Sequence, residues 1–389
     1  MNHTITQSVA DIFSRPADNN YDSIEELLNV AHEEMNKSRI LKVQGSDIRF
    51  SATSEGFNLD IDGSSPMKGT SLPLTNFSLT QVAKMAKIPT MMLERLHQKG
   101  YDDLVVNNLD SLFPNKRSET KFILVRDHYD DVGGIDSVVR AINGSKYARL
   151  WDYDMFSEVE DLLIADKGFT PALPQTDNNN YNTLMQNLNT GLFRGDQCSF
   201  GFFFVDQDLD GYEDSKQLGG LKPGIVVWNS EVGARSFGFH TFYYHEASGS
   251  IIIWTPANHK YRRYVHTGSN IQQALKDFIR ILEDTANNFQ THYTDSLKIF
   301  NLAASTLFVH NNDFNAAVEK LNKNFRMSAS TAKTAMLCAR GTNASYGLPL
   351  SVWNVALGIA WEAGQTGRAE SLVDSTLVAT KVMMAILKI

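Results

Sequence analysis

The stretch LGGLKPGIVVWNSEVGARSFGF, residues 218 to 239, constrains the fold more than any other part of the sequence. Gly219, Gly220, Pro223 and Gly224 make a tight, conformationally permissive entry, and Ile225, Val226, Val227 and Trp228 follow as a β-branched and aromatic run suited to a buried strand. Asn229, Ser230 and Glu231 then favour a turn through side-chain to backbone hydrogen bonds, Gly233 frees the backbone, and a second strand begins near Ser236. The spacing predicts strand, polar elbow, strand. Such an elbow either exposes Asn229, Ser230, Glu231 and Arg235 to a ligand or is a well-capped turn and nothing more.

Neighbouring segments are strands of the same kind: CSFGFFFVDQ before it, then SFGFHTFYYHE and IIIWTP joined by an ASGS turn. Alternation sends Phe237, Phe239, Thr241 and Tyr243 to one face and His240, Phe242 and Tyr244 to the other. Both faces are apolar, which predicts a covered sheet rather than an open platform for stacking bases.

Towards the N-terminus, residues 21 to 36 place Ile24, Leu27, Leu28 and Ala31 at helical spacing, and residues 39 to 62 switch to the period-two alternation of a small β-meander. SLTQVAKMAKIPTMMLERLHQKG, residues 78 to 100, opens with a cap at Ser78 and sets two helices around Ile88 and Pro89. That pair resembles a helix-turn-helix with Thr90 and Arg95 towards a groove, although Met91, Met92, Leu93 and Leu96 favour plain two-helix packing. Residues 119 to 143 read as a hairpin around DDVGG, followed by a helix capped at Asp154 and running to about Asp166. The Asn-rich stretch PQTDNNNYNTLMQNLNTG reads as a loop, residues 271 to 305 as a long helical run, and 313 to 389 as further helices with Trp353, Leu357 and Trp361 on one face. The fold class that follows is α+β: antiparallel sheets with flanking helices, then an all-α C-terminal region. Its expected divisions are an N-terminal helix and meander over 1–74, an α+β core over 75–268 and helices over 269–389.

The formal net charge of the 389 residues is −8, so any polyanion site must be a local patch. Cys198 and Cys338 lack metal-like spacing and fit a reducing compartment. No leader or membrane-spanning run is visible, which sets the expectation of a cytoplasmic protein with no membrane partner. P-loop, dinucleotide-glycine, GxSxG and HExxH signatures are missing, so the chain reads as non-catalytic and without a cofactor. Asp206, Asp208, Asp210 and Gly211 match the first half of a calcium loop, but Gln217 stands where the bidentate Glu belongs; the reading is an acidic solvated loop, with a weak metal site or a metal-dependent nuclease as alternatives. Three stretches could meet phosphates. Lys116 to Arg149 is mildly basic, HKYRRYVHTG (259–268) interleaves Lys260, Arg262 and Arg263 with Tyr261 and Tyr264, and residues 320 to 340 hold Lys320, Lys323, Arg326, Lys333 and Arg340 with no Asp or Glu.

Three blocks, VAKMAKIPTMMLERL, VVRAINGSKYARLWDYDMFSEVEDLL and PGIVVWNSEVGARSFGF, the last followed by YVHTG, resemble the phage/plasmid-like family of uncharacterised proteins carried by bacteriophages, prophages and plasmids. Asn143, Gly144 and Ser145 depart from the turn common there, and HEASGS stands where a Cys-Asn-Gly segment is often found. The family carries no assigned activity. Its setting is similar, by analogy alone, to that of single-strand annealing recombinases. The resemblance therefore implies a DNA-metabolism protein binding nucleic acid, single-stranded DNA first of all, as a homo-oligomer in the cytoplasm, that of the host if phage-encoded. On that view Arg126, Arg140, Lys146, Tyr147, Arg149, Lys260, Arg262, Arg263, Tyr264, Lys333 and Arg340 would contact the strand. The competing class is a structural, virion or host-takeover interaction protein with no nucleic-acid affinity, and the net charge favours it.

Overall fold

Four adjacent strands hold the aromatic segments together, and they do so around a glycine. The computed structural model describes residues 17–388 apart from 54–55, 63–67, 114–118, 130–134, 172–190, 206–208, 255–263, 269, 342–346 and 366–368. Its largest sheet is antiparallel, in the order β1 (Asn19–Tyr21), β8 (Leu192–Arg194), β9 (Ser199–Phe204), β10 (Leu221–Asn229), β11 (Gly238–His245) and β12 (Ser250–Ile253). Phe204 and Phe242 lie on either side of Gly224 in the register, and their rings meet edge to face at 5.1 Å. A Cβ on Gly224 would sit 2.4 Å from the Phe242 ring. Gly224 thus makes room for rings, whereas Gly219, Gly220 and Gly233 have the positive φ expected of turn glycines.

Both faces of the sheet are covered, as the alternation predicted. Phe203, Ile225, Val227 and Phe239 pack under α1 (Ile24–Asn36), α5 (Asp152–Val159) and α7 (Ile271–Asn287). Phe202, Val226, Trp228, Phe242 and Ile253 pack on the other face against Leu372 and Val373 of α12 (Ala369–Leu387). At about 25 cal/mol per Å² of apolar surface, burying these aromatic rows between two helical layers stabilises the sheet strongly.

Two smaller sheets stand beside it: β2 (Ser38–Gln44), β6 (Thr120–Tyr129) and β7 (Ile135–Gly144), and β3 (Ile48–Thr53), β4 (Gly56–Ile61) and β5 (Thr70–Pro73). The expected meander is therefore shifted. β2 leaves it to pair with β6, Leu41 opposite Ile123, because a 3₁₀ turn at Gly45–Asp47 redirects the chain and the Gly45 N–H donates to the Glu119 carbonyl. Alternation marks strands but not their partners. Helices α2 (Asn76–Met85), α3 (Thr90–Gln98) and α4 (Asp102–Leu112) share one core with these sheets.

Three local expectations are corrected. Thr75, not Ser78, caps α2. Asp154 caps nothing: α5 starts after Trp151 and continues as a π-helix to Asp166, while Asp152 turns into the core. The run 271–305 breaks at Asn288 into α7 and α8 (Phe289–Ser305). The C-terminal region is all helices: α9 (Phe314–Phe325), α10 (Ala329–Gly341), α11 (Val352–Gly364) and α12 follow a four-residue α6 (Tyr212–Ser215) far upstream. Strand pairing and packing cross the divisions at 74 and 268, since β1 joins β8 and α12 lies on β12. No helix among the described residues is long and apolar enough to cross a membrane.

Candidate nucleic-acid interface

The polar elbow between β10 and β11 is a buried junction, not an exposed loop, which corrects the expectation for Asn229, Ser230 and Glu231. Asn229 donates to the Leu150 carbonyl and to Asp152 Oδ1 at 2.8 Å, and Ser230 Oγ donates to the Gln197 carbonyl. Glu231 Oε2 accepts from Arg140 at 3.0 Å and Arg194 at 3.1 Å, and its Oε1 accepts from the Asp152 N–H. Arg194 reaches on to Glu34 of α1 at 2.6 Å, where Arg126 also arrives at 3.0 Å. Arg149 donates to the Glu231 carbonyl and to Asn143. Burial alone would raise Glu34, but Arg194, Arg140 and Arg126 outweigh it and hold its carboxyl down to about 2. Burial and then the Glu231 charge push Asp152 above the ordinary carboxylate range. The turn chemistry was readable because it is local; burial depends on α1, β7 and β8, which arrive from distant sequence.

The segments 140–151, 229–235 and 264–267, from blocks that carried the resemblance, meet here. Tyr147 donates to the Ser230 and Glu231 carbonyls and stacks on His266, and Tyr264 stacks on Phe237 at 5.0 Å. Arg126, Arg140 and Arg149 point inward onto this network, which leaves Lys146 as the exposed cation of that set. Arg235 is half-buried, spans Asp374 at 2.5 Å and lies over the Trp228 ring. Lys260, Arg262 and Arg263 lie outside the described residues, as do Asp206 and Asp208. Asp210 exchanges backbone hydrogen bonds with the Gln290 amide, and the described residues contain no group of three metal-type ligands.

Lys333 and Arg340 sit differently. α9 is capped by Asp313, whose carboxylate accepts from two backbone N–H groups, and is closed by Arg326 just past its end, held left-handed at φ 57°. The Met327 N–H returns to the Leu321 carbonyl, the Asn322 amide donates to the Met327 carbonyl, and Ser328 Oγ caps α10 by accepting from the Thr331 N–H. Ala332, Ala335, Met336 and Ala339 form the buried face of α10. Gly358 of α11 lets the two helices approach: a Cβ there would lie 2.2 Å from the Ala335 carbonyl oxygen. The opposite face exposes Ser330, Lys333, Thr334, Leu337 and Arg340. Arg326, Lys333 and Arg340 make no ion pair among the described residues, whereas Lys323 pairs with Glu319 and Lys320 donates to the Phe308 carbonyl. Sequence reasoning found the two cations and the serine-bearing helix start but missed Thr334 and the turn. The buried spacing Leu321, Met327, Ala332, Ala335 was the signal available.

The α2–α3 pair has a comparable turn, with Lys87 at φ 57° and the Ile88 N–H donating to the Ala83 carbonyl. Its outer face differs, exposing Met91, Met92 and Arg95 while Thr90 is half-buried. In comparison with known proteins, no family model, no curated protein and no solved structure matches the chain.

Proposed function

We propose that this chain binds nucleic acid, without catalytic chemistry, through the outward face of α10 and the turn before it. The observation that carries the reading is the set of exposed cations Arg326, Lys333 and Arg340, without ion pairs among the described residues, in an acid-free stretch of an acidic protein. Cations without carboxylate partners are free to replace the counterions of a phosphate backbone, so binding will weaken with salt. Three such contacts correspond to a slope of roughly −3 in log K against log salt. Fluorescence anisotropy of labelled oligonucleotides, single- and double-stranded, across a salt series measures this directly. Lys333→Glu with Arg340→Glu is expected to weaken binding at least tenfold and to flatten the slope by about two. Absence of binding at low salt, or a double variant that binds as tightly as the parent, refutes the proposal.

A second reading, an interaction protein without nucleic-acid affinity, is favoured by the exposed Met91, Met92, Tyr101 and Leu104 around α3 and α4 and by the net charge. It gains if the same titrations show no binding.

A further inference from the structure

We infer that α9 and α10 form a helix-turn-helix whose second helix enters the major groove of double-stranded DNA; the inference rests on the nucleic-acid reading above and specifies its ligand. Three residues, Arg326, Met327 and Ser328, separate the helices, the turn length of that motif. A left-handed residue follows the first helix, and Met327, buried beneath the turn, joins Leu321, Ala332 and Ala335 in fixing the second helix against the first. A non-glycine residue held left-handed is strained by about 1–2 kcal/mol, and here the residue retained is a cation next to the exposed helix start.

The outward face decides between a duplex and a single strand. From Ser328 to Arg340 the exposed positions are 328, 329, 330, 333, 334, 337 and 340, one stripe repeating at the helical period. At 1.5 Å per residue the stripe from Ser330 to Arg340 runs about 15 Å, and the major groove, about 12 Å wide, admits a helix. The chemistry along it suits base edges. On its specific site Lys333 can leave the phosphates it meets on other sequences and donate to guanine O6 and N7, Ser330 and Thr334 hydroxyls can pair with either kind of edge, and the Thr334 methyl and Leu337 can meet a thymine methyl. Arg326 at one end and Arg340 at the other are placed to take phosphates. A single-strand site relies on rings that stack on unpaired bases, and residues 328 to 340 contain no aromatic side chain. Gly358 and the alanine face of α10 hold the helix close on α11, so the stripe is presented on a rigid support. α2 and α3 share the turn, and α3 exposes Arg95 and Gln98, but at its start it puts Met91 and Met92 where α10 puts Ser330 and its neighbour.

The test is selection by the full-length chain from two parallel oligonucleotide pools with a randomised core, one duplex and one single-stranded, followed by repetition with Lys333→Ala and Thr334→Ala. Both positions are solvent-exposed, and circular dichroism with thermal melting verifies that the variants fold as the parent does. Convergence of the duplex pool on a short motif containing guanine, with at least a tenfold loss of affinity for that motif in Lys333→Ala, is the expected result. Enrichment of the single-stranded pool alone overturns the duplex inference and leaves the nucleic-acid reading standing. Duplex retention without convergence, or a motif bound unchanged by both variants, overturns groove reading by α10. Retention of neither pool removes the proposed function and this inference together.

Discussion

Glu231 is the residue on which the interior of the molecule converges. It is 2% exposed, and two guanidinium groups and one backbone N–H are satisfied by its two carboxylate oxygens. Glu231→Gln keeps the size but removes the charge, leaving Arg140 and Arg194 with one fewer buried counterion. Breaking a buried pair in this way costs about 3–5 kcal/mol, because the remaining charge stays desolvated. We expect urea unfolding to register a loss on that scale, whereas Lys298→Ala, which removes an exposed pair with Asp295, should change stability by less than about 0.5 kcal/mol. Equal effects would mean that solvent reaches the network. Asn229, Ser230 and Glu231 were legible as a turn from their own chemistry. That they lie inside was not, because the covering charges Glu34 and Arg194 stand 197 and 37 residues away from Glu231 in the chain. Lys333 and Arg340 were legible for the opposite reason: the absence of acids between 320 and 340 is a local property.

At the scale of elements, period and turn residues located most strands and helices, while pairing escaped them. The β6–β7 hairpin and strands β9 to β12 emerge where alternation and glycine placed them, since a strand's faces are written in its own residues. β2 could not be assigned to β6 rather than β3, because its alternating faces suit either neighbour. The seat of α10 on α11 belongs to the same class of hidden information: Gly358 lies inside an apolar helix and carries no turn signal. Gly358→Ala would drive a Cβ to 2.2 Å from the Ala335 carbonyl and 3.0 Å from the Ala339 Cβ. The backbone must shift, at a cost of about 1–3 kcal/mol typical of overpacking. Gly341→Ala, at the end of α10 with nothing within 4 Å, should instead be neutral or stabilising by up to about 1 kcal/mol. Thermal melting of the two variants compares them; a Gly358→Ala protein as stable as the parent would show that α10 is loosely held, and with it the rigid support for groove entry.

The whole molecule responds to pH through groups dispersed over its main sheet and the chain beside it. His240 and His245 lie on β11 and His266 packs beside Tyr147; burial lowers the first to about 3 and the other two to about 4. In the unfolded chain each returns to about 6.5. A histidine whose folded pKa is depressed contributes stability that is complete above 6.5 and is lost as pH falls towards the folded value, because the unfolded state binds the proton first. Each loses on the order of 1–2 kcal/mol by pH 5. Asp152 acts in the other direction: burial and Glu231 raise it, so its ionisation opposes folding near neutrality and its protonation on acidification returns part of the loss. Glu34, held down to about 2, keeps its full contribution until the pH drops below about 4.5. Three histidines against one dominant carboxyl give a net decline. We therefore expect the unfolding free energy, measured in urea, to fall between pH 7 and pH 5, and His245→Gln, which retains side-chain hydrogen-bonding groups near the Leu218 carbonyl and Ser248, to make that fall shallower. Stability that is flat or rising over this interval would mean that the buried histidines take up protons without unfolding, with water entering the sheet around β11.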